Sequence, residues 1–261
     1  MRTQILQLSD FHLLSDPAGR LRNVPTWQTL EQVLDLVRRD YHQCERIVIT
    51  GDLAHDELRE TYQRLREHLD ELVNRCLFIP GNHDDRASMV EVLGAQTPAE
   101  DGKIGFDVRA GSWRLLGIDS HIPGEVAGRL ADTQIPWLLS ALADEPTRQT
   151  ILFVHHPPIP VGSPWLDRIG LQDPEPLLEA VSKSPQLRIV ACGHVHQDFV
   201  GSLGGAMVAS APSTAFQFCP QTETVEPDPI APGFRVYEFE DSIYNTYVVR
   251  LPECTYPPDE A

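Results

Sequence analysis

Arg46-Ile47-Val48-Ile49-Thr50-Gly51-Asp52 is a short β-branched run that stops abruptly at a glycine and a carboxylate. Such a run, bounded by polar residues, reads as a strand. The same grammar recurs on either side. Ile5-Leu6-Gln7-Leu8 runs into Ser9-Asp10-Phe11-His12, and Cys76-Leu77-Phe78-Ile79-Pro80 runs into Gly81-Asn82-His83-Asp84-Asp85. Further apolar runs predict strands at residues 113–119, 151–154 and 188–192. The last two end in His155-His156-Pro157 and Gly193-His194-Val195-His196.

Between the first three strands lie helical patterns. Trp27, Leu30, Leu34 and Val37 form one apolar face, and Leu58, Tyr62, Leu65, Leu69 and Leu72 form another, both with steps of three and four. Strand, helix, strand in succession implies right-handed crossovers and a largely parallel sheet covered by helices. After His196 the pattern changes: residues 207–210, 234–239 and 243–251 read as strands separated by turns, which fits antiparallel pairing. The fold class is α/β, layered as α/β/α or as a two-sheet sandwich. The proline-rich stretch from Pro220 to Pro232 reads as a long loop, and Gly201-Ser202-Leu203-Gly204-Gly205 as a turn.

The chain has 261 residues, 41% of them hydrophobic, enough for a sizeable core in a single α/β domain. Polar Gln4 and Gln7 interrupt the first apolar positions, so no secretory stretch forms there, and no segment approaches the roughly 20 apolar residues of a membrane span. The expected location is the cytoplasm. Five cysteines at wide, irregular spacing contain no paired Cys-x-x-Cys signature and read as reduced packing residues. A net charge of −17 repels polyanions and argues against nucleic-acid or anionic-membrane partners. A phosphate-bearing substrate would need local positive charge, and bound metal cations are the obvious source.

The polar clusters at the strand ends are of one chemical kind. Carboxyl ends of strands in open α/β sheets converge on one crevice, so residues far apart in sequence meet there. Asp10, His12, Asp52, Asn82, His155, His194 and His196 form a mixed oxygen and nitrogen set suited to Fe, Mn, Zn or Co rather than to Ca or Mg. Seven side chains exceed the need of one tetrahedral ion, whereas two ions sharing a carboxylate would use them all. In Asp10-x-His12 and His194-x-His196, strand geometry would aim both members to one side. Gly51, Gly81 and Gly193 each adjoin a proposed ligand, where a missing Cβ permits a tight turn and close approach.

Other polar residues have blander readings. His42, His55, His68 and His121 are expected to be solvated or locally hydrogen-bonded, and His156 to support its neighbour rather than ligate. Trp27 and Tyr62 belong to apolar helix faces. Asp84 and Asp85 either orient His83 or cap a loop. No Gly-x-Ser-x-Gly elbow and no Walker-type loop is present.

The ordered set Asp10-x-His12, Gly51-Asp52, Gly81-Asn82-His83-Asp84, His155-x-Pro157 and Gly193-His194-x-His196 resembles the calcineurin-like metallophosphoesterase superfamily over about residues 3 to 198. Asn23-Val24-Pro25-Thr26-Trp27-Gln28, Ser163-Pro164-Trp165-Leu166-Asp167, Pro212-Ser213-Thr214-Ala215-Phe216-Gln217-Phe218 and Ile230-Ala231-Pro232-Gly233-Phe234-Arg235 are similar to the bacterial class III 3′,5′-cyclic-AMP phosphodiesterases. The resemblance implies a four-layer α/β/β/α sandwich of two central mixed sheets flanked by helices. It implies one domain over residues 1–261, with residues 199–261 completing the second sheet. One ion would be bound by Asp10, His12, Asp52 and His196, the other by Asp52, Asn82, His155 and His194, with Asp52 bridging. Substrate phosphate would meet His12, Asp52, Asn82, His83 and His196. Iron or manganese is the family's usual occupant, and a homodimer is common in similar enzymes.

The expected reaction is hydrolysis of 3′,5′-cyclic AMP to 5′-AMP, with His83 stabilising phosphoryl charge or protonating the leaving oxygen as the catalytic residue. Two further readings keep the same ligands: hydrolysis of another small phosphodiester, such as a glycerophosphodiester or a 2′,3′-cyclic nucleotide, and a metal-bound regulatory module without turnover.

Overall fold

A computed structural model describes residues 2–98 and 102–259. In chain order its strands are β1 (Thr3–Leu8), β2 (Arg46–Ile49), β3 (Cys76–Phe78), β4 (Phe106–Ala110), β5 (Trp113–Gly117), β6 (Thr150–Phe153), β7 (Leu187–Cys192), β8 (Val200–Leu203), β9 (Ala206–Ser210), β10 (Gln217–Phe218), β11 (Pro227–Asp228), β12 (Gly233–Glu240) and β13 (Ile243–Arg250). They form a five-stranded sheet in the order β13-β12-β1-β2-β3, a six-stranded sheet in the order β4-β5-β6-β7-β9-β8, and the small pair β10-β11.

Alternation along the strands builds the layers. Leu6, Leu8, Ile47 and Ile49 face one way and pack against Trp27, Leu30 and Leu34 of the helix Thr26–Asp40 and Tyr62 and Leu65 of the helix Arg59–Leu69. Ile5 and Val48 face the other way and meet Trp113, Leu115, Ile151, Phe153 and Ile189 of the second sheet. The far side of that sheet presents Leu116, Leu152 and Val190 to the helices Gln134–Asp144 and Glu175–Ser182. The result is the expected α/β/β/α sandwich, and it explains why β2, β6 and β7 read as near-continuous apolar runs: both faces of each are covered.

Both sheets are mixed rather than largely parallel. In the first, β1, β2 and β3 are parallel, whereas β12 and β13 are antiparallel additions. In the second, β5, β6, β7 and β9 are parallel between the antiparallel edges β4 and β8. The antiparallel expectation after His196 therefore holds for β12 and β13 but is corrected for β9, which runs parallel to β7 because the β8–β9 hairpin folds back beside it. The placement of residues 199–261 in the second sheet is also corrected. Only β8 and β9 lie there; β12 joins the first sheet, because Phe234 and Val236 serve its helix-side core while Tyr237 and Phe239 face the opposite sheet.

Strands β4 and β8 are absent from the sequence reading for a physical reason. Phe106-Asp107-Val108-Arg109-Ala110 is an edge strand whose polar residues face solvent, and Val200-Gly201-Ser202-Leu203 carries little apolar side chain. The turn expected at residues 201–205 is confined to Gly204-Gly205, and the proline-rich loop contributes Pro227–Asp228 to a short pairing with Gln217–Phe218.

Gln7, a polar residue inside the first apolar run, is fully buried and ties the layers together beneath the strand ends. Its Nε2 donates to Thr50 Oγ1 at 3.0 Å and to the Cys192 carbonyl at 2.9 Å, and its Oε1 accepts from Tyr237 Oη at 2.7 Å. One side chain thus links β1, β7 and β12 with the loop after β2 at the level where the polar clusters begin. The five cysteines are free. Among the described residues no helix is long and apolar enough to cross a membrane.

Candidate metal centre

The ends of β1, β2, β3, β6 and β7 bring the seven predicted ligands together, though not by strand alternation. Asp10, His12, Asp52, His194 and His196 all lie beyond their strands with φ between 47° and 68°. Each such left-handed residue carries a cost of order 1 kcal/mol or more, tolerated where the surroundings over-determine it. Those surroundings are visible. Asp10 N–H donates to the Gly51 carbonyl at 3.0 Å and His12 N–H to the Asp52 carbonyl at 2.8 Å, while the Asp10 carboxylate accepts from His194 N–H at 3.0 Å. Left-handed turns, not the i, i+2 spacing of a strand, turn the paired residues into one pocket. Gly51 has φ +95°, and a Cβ there would stand 2.4 Å from Gly81 N; a Cβ on Gly81 would stand 2.2 Å from Asp52 Oδ1. The two loops approach closely because neither residue has a side chain.

Donor atoms form two groups joined at one carboxylate. In the first, His196 Nε2 lies 3.0 Å from His12 Nε2 and 3.5 Å from Asp10 Oδ1, and His12 Nε2 lies 3.6 Å from Asp52 Oδ2. In the second, His155 Nε2 lies 3.5 Å from the same Asp52 Oδ2, and His194 Nδ1 lies 3.1 Å from Asn82 Oδ1. Two donors at about 2.1 Å from one ion and about 90–110° apart stand about 3.0–3.4 Å from each other, close to these separations.

Hydrogen bonds elsewhere on the rings settle which nitrogens are bare. His155 Nδ1 bonds the Thr50 carbonyl at 2.6 Å and His196 Nδ1 the Phe216 carbonyl at 2.8 Å. Each carbonyl fixes its proton on Nδ1 and leaves an Nε2 lone pair, the arrangement of a ligating histidine. The buried Nε2 of His155 has no hydrogen-bond partner. An unpaired lone pair at this depth is unfavourable without a cation, so the residues present fit divalent metal ions. Without a cation, burial disfavours the His155 imidazolium, yet the Asp52 and Asp10 carboxylates push its pKa up to about 9. Burial pushes the Asp52 carboxyl upward in turn, but His155, His12 and His83 hold it well below the usual carboxylate range. Burial and His155 lower His194 to about 3, keeping it neutral.

Neighbouring residues divide between expected and unexpected. His156 is a support, as expected: its Nδ1 bonds Ser120 Oγ at 2.8 Å and its Nε2 the Val126 carbonyl at 3.0 Å. Asp84 is a loop anchor, accepting from Gly81, Leu53 and Ala54 N–H and from Tyr62 Oη. Asp85 caps the turn Arg86–Ser88 through Ser88 N–H at 2.8 Å. His42 is exposed and His68 bonds Glu31 at 2.8 Å. His121 is not solvated but buried, with Nδ1 lacking a hydrogen-bond partner. His55 is also misjudged by its sequence context: its Nδ1 lies 3.2 Å from His12 Nδ1 and its ring lies 4.4 Å from that of His83. It stands in a loop three residues past Asp52, where no periodic pattern could reveal it.

A cavity of about 220 Å³ opens above the centre. His12, Asp52, Asn82, His194 and His196 form its floor, His55 and His83 line it beside His12, and Val126, Trp165, Leu166, Ile169, Phe216 and Phe218 complete its walls. Phe216 and Phe218 pack on His196 with ring centroids 5.0 and 4.8 Å away, and Trp165 meets Phe218 edge-on at 5.0 Å. Arg22, which sequence patterning did not single out, reaches the rim with its guanidinium 5.6 Å from the Phe218 ring centroid. A larger groove of about 350 Å³ between the helix Thr26–Asp40 and the C-terminal segment contains none of these residues.

Comparison with known proteins agrees with this geometry. The family model described as calcineurin-like phosphoesterase matches residues 3–198. The 3′,5′-cyclic adenosine monophosphate phosphodiesterase CpdA of Escherichia coli is 36% identical over 100% of this chain and 94% of its own length. CpdA of Pseudomonas aeruginosa is 33% identical over 98% of the chain and 92% of its own. A 3′,5′-cyclic-nucleotide phosphodiesterase of Nostoc sp. is 30% identical over 95% and 92%. Among solved structures, a dimetal phosphatase from Danio rerio has the same fold, with a TM-score of 0.66 at 14% identity over 94% of this chain and 98% of that one.

Proposed function

The chain belongs to the calcineurin-like phosphoesterase family, and we propose that it hydrolyses 3′,5′-cyclic AMP to 5′-AMP at a dinuclear divalent metal centre. The observation that carries the reading is the position of Asp52 Oδ2, 3.6 Å from His12 Nε2 and 3.5 Å from His155 Nε2, joining two donor groups beneath one cavity. Asp10, His12, Asp52 and His196 would hold one ion, and Asp52, Asn82, His155 and His194 the other. A pair of divalent ions supplies Lewis acidity that activates water near neutral pH and neutralises phosphoryl charge; iron and manganese are the expected occupants.

The chain's own residues do the rest. Asp52 accepts His83 N–H at 2.8 Å through Oδ1, which fixes the loop that carries His83 at the edge of the floor. From there the imidazole reaches a phosphate placed on the floor and stabilises its oxygens or protonates the departing O3′. Water adds to phosphorus, the P–O3′ bond breaks, and the 3′ oxygen takes a proton. Trp165, Phe216, Phe218 and Ile169 present an apolar, largely aromatic wall to the rest of the ligand, the kind of surface on which a base stacks. The relatives named above as cyclic-nucleotide phosphodiesterases span nearly the whole chain, which favours this substrate over a glycerophosphodiester or a 2′,3′-cyclic nucleotide.

With a net charge of −17, the chain is suited to a small diester rather than to a nucleic acid. The proposal includes action in the cytoplasm as one domain, with a homodimer as the assembly that the resemblance implies. The test is a hydrolysis panel of 3′,5′- and 2′,3′-cyclic nucleotides, glycerophosphodiesters and bis(p-nitrophenyl) phosphate on Mn²⁺- or Fe²⁺-reconstituted protein. A kcat/KM for cyclic AMP well above the others is the expected result. Equal rates on every diester would remove the cyclic-nucleotide assignment, and no turnover of any would leave a metal-bound regulatory module.

A further inference from the structure

We propose that His55 is a second phosphoryl-binding imidazole: its distal N–H, oriented by a hydrogen bond from His12, donates to the substrate phosphate beside His83. The inference rests on the phosphodiesterase reading only in taking a phosphate diester as the ligand.

The argument is one of proton placement. His12 Nε2 faces His196 Nε2 at 3.0 Å and Asp52 Oδ2 at 3.6 Å, so Nε2 is the atom available to a metal and carries a lone pair. A neutral imidazole then has its proton on Nδ1. That nitrogen lies 3.2 Å from His55 Nδ1, which must accept. With Nδ1 of His55 occupied as an acceptor, its own proton sits on Nε2, and the ring becomes a fixed donor. The bond does two things at once: it orients a ligand ring, as partners behind metal-bound histidines do, and it sets the tautomer of the ring behind.

Geometry places that ring in the cavity lining beside His83. His55 and His83 lie ring to ring, with centroids 4.4 Å apart and planes 30° apart, and both line the cavity together with His12 and Asp52. One nitrogen from each of His12, His55 and His83 lies within 4.8 Å of the other two. Two imidazoles side by side above ligands that gather an anion suit two oxygens of one phosphoryl group. Three independent features of this corner thus converge on the same role: the bond to His12, the ring contact with His83 and the place in the cavity wall.

Two substitutions separate the halves of the proposal. His55→Asn keeps an acceptor near the Nδ1 position and removes the distal donor; His55→Gln keeps a distal amide N–H and removes the proximal acceptor. Metal content after Mn²⁺ reconstitution, calorimetric binding of inorganic phosphate, and kcat and KM on cyclic AMP and bis(p-nitrophenyl) phosphate are measured for both. His55→Asn is expected to keep wild-type Mn²⁺ content, bind phosphate about tenfold more weakly and lose about tenfold or more in kcat/KM on both diesters. His55→Gln is expected to require about tenfold more Mn²⁺ for half-maximal loading while retaining most phosphate affinity once loaded. Wild-type phosphate affinity in His55→Asn would overturn the proposal, as would a loss of Mn²⁺ matching that of His12→Ala, which would make His55 a ligand. Should the wild-type protein turn over the aryl diester but not cyclic AMP, the substrate assignment fails and the His55 comparison stands on the aryl diester and on phosphate binding.

Discussion

His12 Nε2 and His196 Nε2 face each other at 3.0 Å, with the proton of His196 held on the far side of its ring by the Phe216 carbonyl. Two lone pairs at that separation repel unless a cation sits between them, and the buried, unpartnered Nε2 of His155 adds to the same deficit. Divalent metal should therefore stabilise the folded chain. Each hundredfold excess of metal over its Kd is worth about 2.7 kcal/mol per site. Chelation should lower the melting temperature by several degrees, and titration with Mn²⁺ should raise it progressively, read by scanning calorimetry. A melting curve indifferent to chelator and metal would show that the lone pairs are satisfied otherwise.

Turnover and metal retention should separate at His83. Its backbone N–H bonds Asp52, but its side chain completes neither donor group. His83→Ala should retain wild-type metal content and lose about 10²- to 10⁴-fold in kcat, the usual contribution of a positioned proton donor. Metal analysis beside steady-state kinetics decides; near-wild-type kcat would assign the leaving-group proton to another group.

Much of the sandwich was legible because β2, β6 and β7 are apolar at nearly every position, a pattern that only strands covered on both faces sustain. The candidate ligand set was legible because Asp, Asn and His recur where such strands end. What escaped has local causes. Strand β4 alternates like any solvent-facing edge, and β12 carries its sheet assignment in two faces that look alike in sequence. His55 lies in a loop whose course is set by the left-handed residue at Asp52, and nothing in its neighbours announces that the turn brings it back onto His12. Gln7 read as an interruption of an apolar run, whereas its burial depends on Tyr237, more than two hundred residues away.

That burial makes Gln7 a stability determinant. Gln7→Leu fills similar space but strands Tyr237 Oη, which loses its bond to the amide, whereas the Cys192 carbonyl keeps Ala211 N–H at 3.0 Å and Thr50 Oγ1 keeps Ser9 Oγ at 2.8 Å. A buried group left unsatisfied costs about 1–3 kcal/mol, so a loss of about 2 kcal/mol is expected. At about 2–4 °C per kcal/mol for a chain of this size, melting should fall by roughly 6 °C. A shift below about 2 °C would mean that the network relaxes onto other partners.

His121 should impose a pH dependence of its own. Burial, then the neighbouring Arg86 and Lys103 cations, lower its pKa from 6.5 to about 4, with His155 acting in the same sense and Asp119 opposing them. The unfolded chain thus binds a proton at higher pH than the folded one, so stability contributed above about pH 6.5 is lost as pH falls toward 4. His121→Gln, uncharged throughout, should flatten that part of the stability curve relative to wild type. Denaturant titrations at half-unit steps from pH 7 to 4 check it, and parallel curves for the two proteins would rule out a proton on His121 as the cause.

Trp165 tests whether the aromatic wall reads a base. Its ring lines the cavity, meets Phe218 edge-on at 5.0 Å, and is tethered by Nε1 donating to Thr222 Oγ1 at 3.3 Å. It does not belong to the donor groups, so removing it should spare metal and phosphate. Stacking of one base on an aromatic side chain is worth about 1–3 kcal/mol, enough to raise KM about tenfold. Trp165→Ala should therefore raise KM for cyclic AMP by about that factor while leaving inorganic phosphate affinity within about twofold. A Trp165→Phe variant, which keeps a π-face, should recover most of the loss. If phosphate affinity falls in step with KM, the tryptophan acts by shaping the floor, and the base must be sought against Phe216 or at Arg22 on the rim.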